Sequence, residues 1–173
     1  VRYVHKLYMV KILERPTAMS LKKVSSVVQQ TLGYVAIFAA QVSGELDPVS
    51  MYGYFLNLVL RSRCELHIFV YASCVAYNVF CIWTGQLNAL HVRRIFLAAL
   101  SLSYNLLSDT GAEASAWAGV ADDSLSETEL ARLQQWVLSI TGWNIHLLSS
   151  DIDRIWASIF RGKSISLSTP PSC

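Results

Sequence analysis

Charge is scarce in this chain: Asp, Glu, Lys and Arg make up 15% of its 173 residues, against about a quarter in ordinary soluble domains. What charge there is nearly cancels, with a formal net value of +2 and no basic tract longer than two residues. A nucleic acid or an anionic membrane surface is therefore not the expected partner, because each needs concentrated positive charge. Catalytic motifs are missing too. There is no HExxH, P-loop or GxSxG pattern, and the four histidines are scattered, so the sequence makes no case for an enzyme or for a cofactor.

Cysteine occurs four times, as Cys64, Cys74, Cys81 and Cys173, without a CxxC spacing or a signal-peptide pattern. Free thiols in a reducing compartment are the expectation, and with them an intracellular location, cytoplasmic or nuclear. His67, Cys74 and Cys81 recur every seven residues and fall on one helical stripe. Seven residues rise about 10.5 Å along a helix, whereas zinc needs each ligand within about 2.3 Å of one point. The stripe cannot hold one ion.

What the chain has in excess is apolar surface, 53% of residues. It is most concentrated in LNALHVRRIFLAALSLSYNLLSD, Leu87 to Asp109, where Val92, Ile95 to Leu100, Leu102, Leu106 and Leu107 leave no polar face along the middle. A helix apolar all round is either buried on every side or lies in a membrane. The neighbouring segments decide in favour of burial. Val24 to Gly44 carries no charge but contains Ser25, Ser26, Gln29, Gln30, Thr31, Gln41 and Ser43, each of which would need a partner in lipid. Leu66 to Trp83 is marginal in length for a span. A buried helical bundle, not a membrane hairpin, is the prediction.

The remaining segments read as helices as well. VRYVHKLYMVKILER, before Pro16, is a basic amphipathic arm or helix. Capping residues from Thr17 to Ser20 open a helix that Gly44 ends. Met51, Tyr54, Phe55 and Leu58 form a stripe closed by Arg61 and Arg63. EASAWAGVA is short. Ser126 and Glu129 form a capping box ahead of a stripe of Leu130, Leu133, Val137 and Ile140, with Trp136 and Trp143 expected to add buried area. A last helix runs from Ser149 or Ser150 to Gly162, and the Ser- and Pro-rich residues 163–173 are expected to be disordered. From Asp109 to Glu129 there are six acids and no base, which reads as a solvated face.

The order of these segments resembles the cyclin box, and most closely that of the phosphate-regulon cyclins of fungi and protists. The strings that carry the likeness are PVSMYGYFLNLVL, VYASCVAYNVF, LNALHVRRIFLAALSLSYNLLSD and SETELARLQQWVLSITGWNIHL. The resemblance implies an all-α fold: a single five-helix cyclin box over 48–147, an arm and flanking helix over 1–47, a C-terminal helix over 148–162 and a tail over 163–173. It implies a regulatory subunit that binds and activates a cyclin-dependent protein kinase through the kinase's mobile regulatory helix. The alternative it leaves is a divergent adaptor or homo-oligomeric scaffold that activates no kinase.

Four charges typical of that family are amides here. The resemblance places Asn57 and Asn78 where family members pair an Arg with an Asp, and Asn105 and Gln134 where a Lys and a Glu reach the kinase. Removing one partner of a buried ion pair costs about 3 to 5 kcal/mol, while replacing both can be nearly neutral. Asn57 and Asn78 are accordingly expected to form a structural amide pair, each supplying a donor and an acceptor. The expected partner-binding residues are Asn105, Gln134, Tyr104, Leu133 and Val137.

Overall fold

The computed structural model describes residues 26–44, 48–109, 111–120 and 125–161. Among the described residues the chain is all-α, with seven helices and no strand. They are α1 (Ser26–Ser43), α2 (Pro48–Ser62), α3 (Leu66–Ile82), α4 (Ala89–Leu107), α5 (Ala114–Val120), α6 (Glu127–Ile140) and α7 (Ser149–Arg161). The N-terminal arm, the Thr17–Ser20 caps, the tail over 163–173 and Cys173 lie outside the described residues.

Local chemistry accounts for where the helices begin and end. Asn88 caps α4, its side chain accepting from the His91 N–H at 2.9 Å, which satisfies one of the orphan donors of the first turn. Ser126 caps α6 through the full reciprocal box: its hydroxyl accepts from the Glu129 N–H at 3.2 Å, and its own N–H donates to the Glu129 carboxylate at 2.9 Å. Pro48 opens α2 with a ring already set to a helical φ. Gly44 leaves α1 at φ +70, the left-handed conformation that glycine adopts without steric cost.

The helix α4 is the centre of the molecule. Val92, Ile95, Phe96, Leu97, Ala98, Ala99 and Leu100 are all buried, because α1, α2, α3, α5 and α6 pack around it, α3 most extensively. Its last turn emerges, so that Leu102 and Leu106 are half-buried and Leu107 is exposed. Rings from three helices meet at the core: Phe96 of α4 lies 4.4 Å from Phe55 of α2 and 5.3 Å from Phe69 of α3, centroid to centroid. Aromatic pairs at these separations add to the gain from area burial. No helix among the described residues is long and apolar enough to cross a membrane.

Two polar pins fix the outer elements. Arg93 stacks over the Tyr54 ring at 5.4 Å and donates to Ser50 at 2.5 Å, while the Tyr54 hydroxyl donates back to the Arg93 carbonyl at 3.0 Å; together they tie the start of α4 to α2. The Tyr71 hydroxyl on α3 donates to the Ile145 carbonyl at 2.7 Å and accepts from the Leu147 N–H at 2.9 Å. That bridge holds the connection between α6 and α7 against the bundle, and from it α7 packs on α3 and α1 through Ile155, Trp156 and Ile159.

Trp143 departs from expectation. It is 68% exposed, because Gly142 and Trp143 both take left-handed backbone, at φ +61 and +63, and turn the chain outward as α6 ends. The Trp143 N–H reaches back to the Leu138 carbonyl at 2.6 Å. Trp136 meets the expectation only in part, half-buried with its ring edge-on to Trp83 at 5.3 Å.

Candidate partner-binding face

The face begins at the buried Ser101 of α4. Its hydroxyl donates to the Ala98 carbonyl at 2.8 Å, one turn back along the helix, and so has only lone pairs to offer sideways. Gln134 of α6 uses one of them, its Nε2 donating at 2.8 Å. Asn105 lies one turn beyond Ser101, on the same side of α4. Its Oδ1 accepts from the Ala112 N–H at 2.9 Å, drawing the chain ahead of α5 onto the end of α4.

Tyr104 packs edge-on against Trp117 of α5 at 5.4 Å, and Trp117 is 97% enclosed by the same packing, at 3% exposure. Leu133 is half-buried against the core. Beside them Asn105, Gly111, Ala112 and Glu113 line an open depression of about 330 Å³. Asn105 and Glu113 are exposed, and Gln134 and Tyr104 are half-buried. Four of the five residues expected to meet a partner thus keep some exposed surface, on α4 and α6. The fifth does not: Val137 has no exposed surface, because it falls on the α6 stripe that faces α4. Val137 packs the core and offers a partner no surface, contrary to the expectation.

Comparison of the chain with protein-family models, curated proteins and solved structures finds no match.

Asn57 and Asn78 behave differently from the pair expected of them. Asn57 is on the exposed side of α2, away from the buried Tyr54, Phe55 and Leu58, and Asn78 is half-buried on α3. No hydrogen bond joins the two. The link between these helices in the structure is instead apolar, Phe55 to Phe69 at 6.1 Å.

The thiol and histidine stripe on α3 is split by its surroundings. His67 Nδ1 lies 3.3 Å from the Glu65 carboxylate. Burial pushes the Cys74 thiol up to about 12 and that of Cys64 up to about 11, so neither ionises near neutral pH. Cys81 is exposed, and its thiol is also raised by partial burial, with a hydrogen bond to Tyr77 acting the other way. Among the described residues no group of three His, Cys, Asp or Glu could hold a metal ion.

Sequence reasoning missed Ser101 and Ala112, the two groups that hold Gln134 and Asn105. Ser101 carried a weak signal as a hydroxyl inside an otherwise apolar run. The part played by Ala112 is made by its backbone N–H, for which no residue type is diagnostic.

Proposed function

We propose that this chain is a cyclin-type regulatory subunit that binds a cyclin-dependent protein kinase through the face of Asn105, Gln134, Tyr104 and Leu133. The observation that supports this reading is that Gln134 is bonded to α4 within one helical turn of Asn105. These residues are remote in sequence, and the cyclin-box resemblance assigns both to one kinase contact; in the fold, Gln134 docks on Ser101, one helical turn from Asn105. The element order supports it as well, with one helix apolar on all sides enclosed by its neighbours and a short helix before the capped α6.

Such a subunit performs no chemistry itself. A rigid helical face that binds one arrangement of the kinase's regulatory helix better than another shifts the kinase population towards the state with its Lys–Glu pair formed and its metal-binding Asp placed. A differential affinity of a few kcal/mol is enough. With neutral amides in place of charges, each polar contact is worth about half of a charge-assisted one, and apolar contact from Tyr104 and Leu133 supplies more of the affinity.

A second reading is a cyclin-box adaptor or homo-oligomeric scaffold that activates no kinase. It is favoured by the engagement of both amides in bonds within the fold. Affinity purification from the source cell, followed by identification of the recovered proteins and light scattering of the purified chain, separates the two. The expected result is a cyclin-dependent kinase whose activity rises when the chain is added. Recovery of no kinase, with a stable self-associated species, rejects the first reading for the second.

A further inference from the structure

Arg93 and Arg94 are neighbours on α4 with different surroundings. Arg93 is engaged, over the Tyr54 ring and with Ser50. Arg94 is half-buried, its Nε has no exposed surface and no hydrogen-bond partner, and its guanidinium forms no ion pair among the described residues. Withdrawing a cation from water is costly unless it is paired and hydrogen-bonded. The pairing is missing within the fold, and the surface that Arg94 keeps is open to a group from outside it.

The carboxylate close to Arg94 is already committed. The Glu129 carboxyl is held below its ordinary value first by the Ser126 N–H and hydroxyl, which both donate to one of its oxygens, at 2.9 and 2.7 Å, and only then by the nearby charges of Arg94 and Arg132. Glu129, the exposed Arg132 and the half-buried Trp136 stand at i, i+3 and i+7 on α6 and share one stripe. At its far end, about 10 Å along the helix from Glu129, Trp136 meets Trp83 of the connection between α3 and α4, ring centroids 5.3 Å apart. The Trp83 Nε1 is also buried without a hydrogen-bond partner. Two guanidiniums against one carboxylate thus leave net positive charge at one end of the stripe, and a pair of indoles closes the other.

We propose that Arg94 and Arg132 form a seat for a phosphate monoester carried on a polypeptide, with an apolar side chain of the same polypeptide resting against Trp83 and Trp136. A carboxylate brings one charge and two acceptor oxygens, and Glu129 supplies that much without pairing Arg94. A phosphate monoester brings a charge of about −1.5 to −2 and three acceptor oxygens, which suits two guanidinium forks. Inorganic phosphate shares that chemistry but makes no use of the indole pair. The stripe lies on a different side of α6 from Gln134, so this seat does not depend on the kinase-binding reading.

Titration of the full chain with three probes tests the proposal: a five-residue peptide with phosphoserine at its second position and leucine at its fifth, the same peptide with unmodified serine, and inorganic phosphate. Three residues of extended chain span about 10 Å, the separation of the two ends of the stripe. The phosphopeptide is expected to bind saturably, to shift the Nε–H NMR signals of Arg94 and Arg132, and at ten times its Kd to raise Tm by about 3 to 6 °C. Inorganic phosphate is expected to move the same signals at about tenfold weaker affinity, and the unmodified peptide to bind neither arginine. Arg94→Gln should weaken phosphopeptide binding by about tenfold or more, the loss of a charge-assisted contact, while leaving the Tm of the chain alone unchanged or raised, since the charge it removes is unpaired. Absence of saturable binding, or binding unaltered by Arg94→Gln, overturns the proposal. A marked fall in Tm of the unliganded Arg94→Gln chain overturns it too, because Arg94 would then have a partner within the fold. Equal affinity for the phosphopeptide and inorganic phosphate overturns the polypeptide as the source and assigns the seat to the free ion.

Discussion

Gln134 and Val137 lie one turn apart on α6 and occupy opposite environments. Gln134 sits at the edge of the packing, where a buried hydroxyl can hold one end of it while the other meets solvent. Val137 is wholly enclosed. Helical spacing places both near α4, and only the rotation of α6 about its axis separates contact from core. The cysteines divide in a similar way, with a consequence for their reactivity. A buried thiol raised to about 11 or 12 is almost wholly protonated near neutral pH and shielded from reagents, because the thiolate is the nucleophile. In the native chain iodoacetamide is expected to label Cys81 and to spare Cys64 and Cys74, which react only after unfolding. The labelling rate at Cys81 should climb with pH through a midpoint above that of a free cysteine, since the folded chain holds its thiol up. Peptide mapping after timed labelling checks this; early modification of Cys74 would contradict its place in the core.

At the scale of elements, the ends of helices are governed by single side chains. The capping box of α6 joins Ser126 and Glu129 by reciprocal bonds. Replacing Ser126 with Ala is expected to cost about 1 kcal/mol of stability, read as a lower denaturant midpoint with an unchanged slope. Bonds from the Ser126 backbone and hydroxyl hold the Glu129 carboxyl below its ordinary value. A folded-state value below the unfolded one means that the contribution is present above the unfolded carboxylate pKa and is lost as pH falls through the folded one. Ser126→Ala should therefore matter at neutral pH and progressively less in acid below about pH 4. The box was legible because both partners stand three residues apart. The outward turn after α6 was not, because nothing in a Gly-Trp pair states that the tryptophan will also take left-handed backbone. That conformation is set by the neighbours: the Tyr71 hydroxyl grips the chain at Ile145 and Leu147, and the turn must deliver it there.

For the whole molecule, stability is concentrated in α4. Leu97 and Leu100 are wholly or almost wholly enclosed by other helices, and truncating such a residue removes its transfer energy and leaves a cavity. Leu100→Ala is expected to destabilise the fold by about 2 to 5 kcal/mol, whereas the same change at Leu107, which is 39% exposed, should fall within about 1 kcal/mol. Chemical denaturation of the two variants measures the contrast, and similar losses at both sites would mean that α4 is not enclosed as described.

The amino-acid sequence by itself determined the all-α class of the described residues, the bounds of the helix from Ala89 to Leu107 to within about two residues, and its burial. These depend on periodicity, capping and the absence of a polar face, all of which are local in the chain. Only the tertiary structure decided which groups hold Asn105 and Gln134, that Val137 is core, that Trp143 is exposed, and that Asn57 and Asn78 do not pair. Each of these depends on groups brought together from distant parts of the chain, such as Ser101 to Gln134 and Tyr71 to Leu147. Spacing within one helix says which residues share a face; it does not say what will be packed against that face.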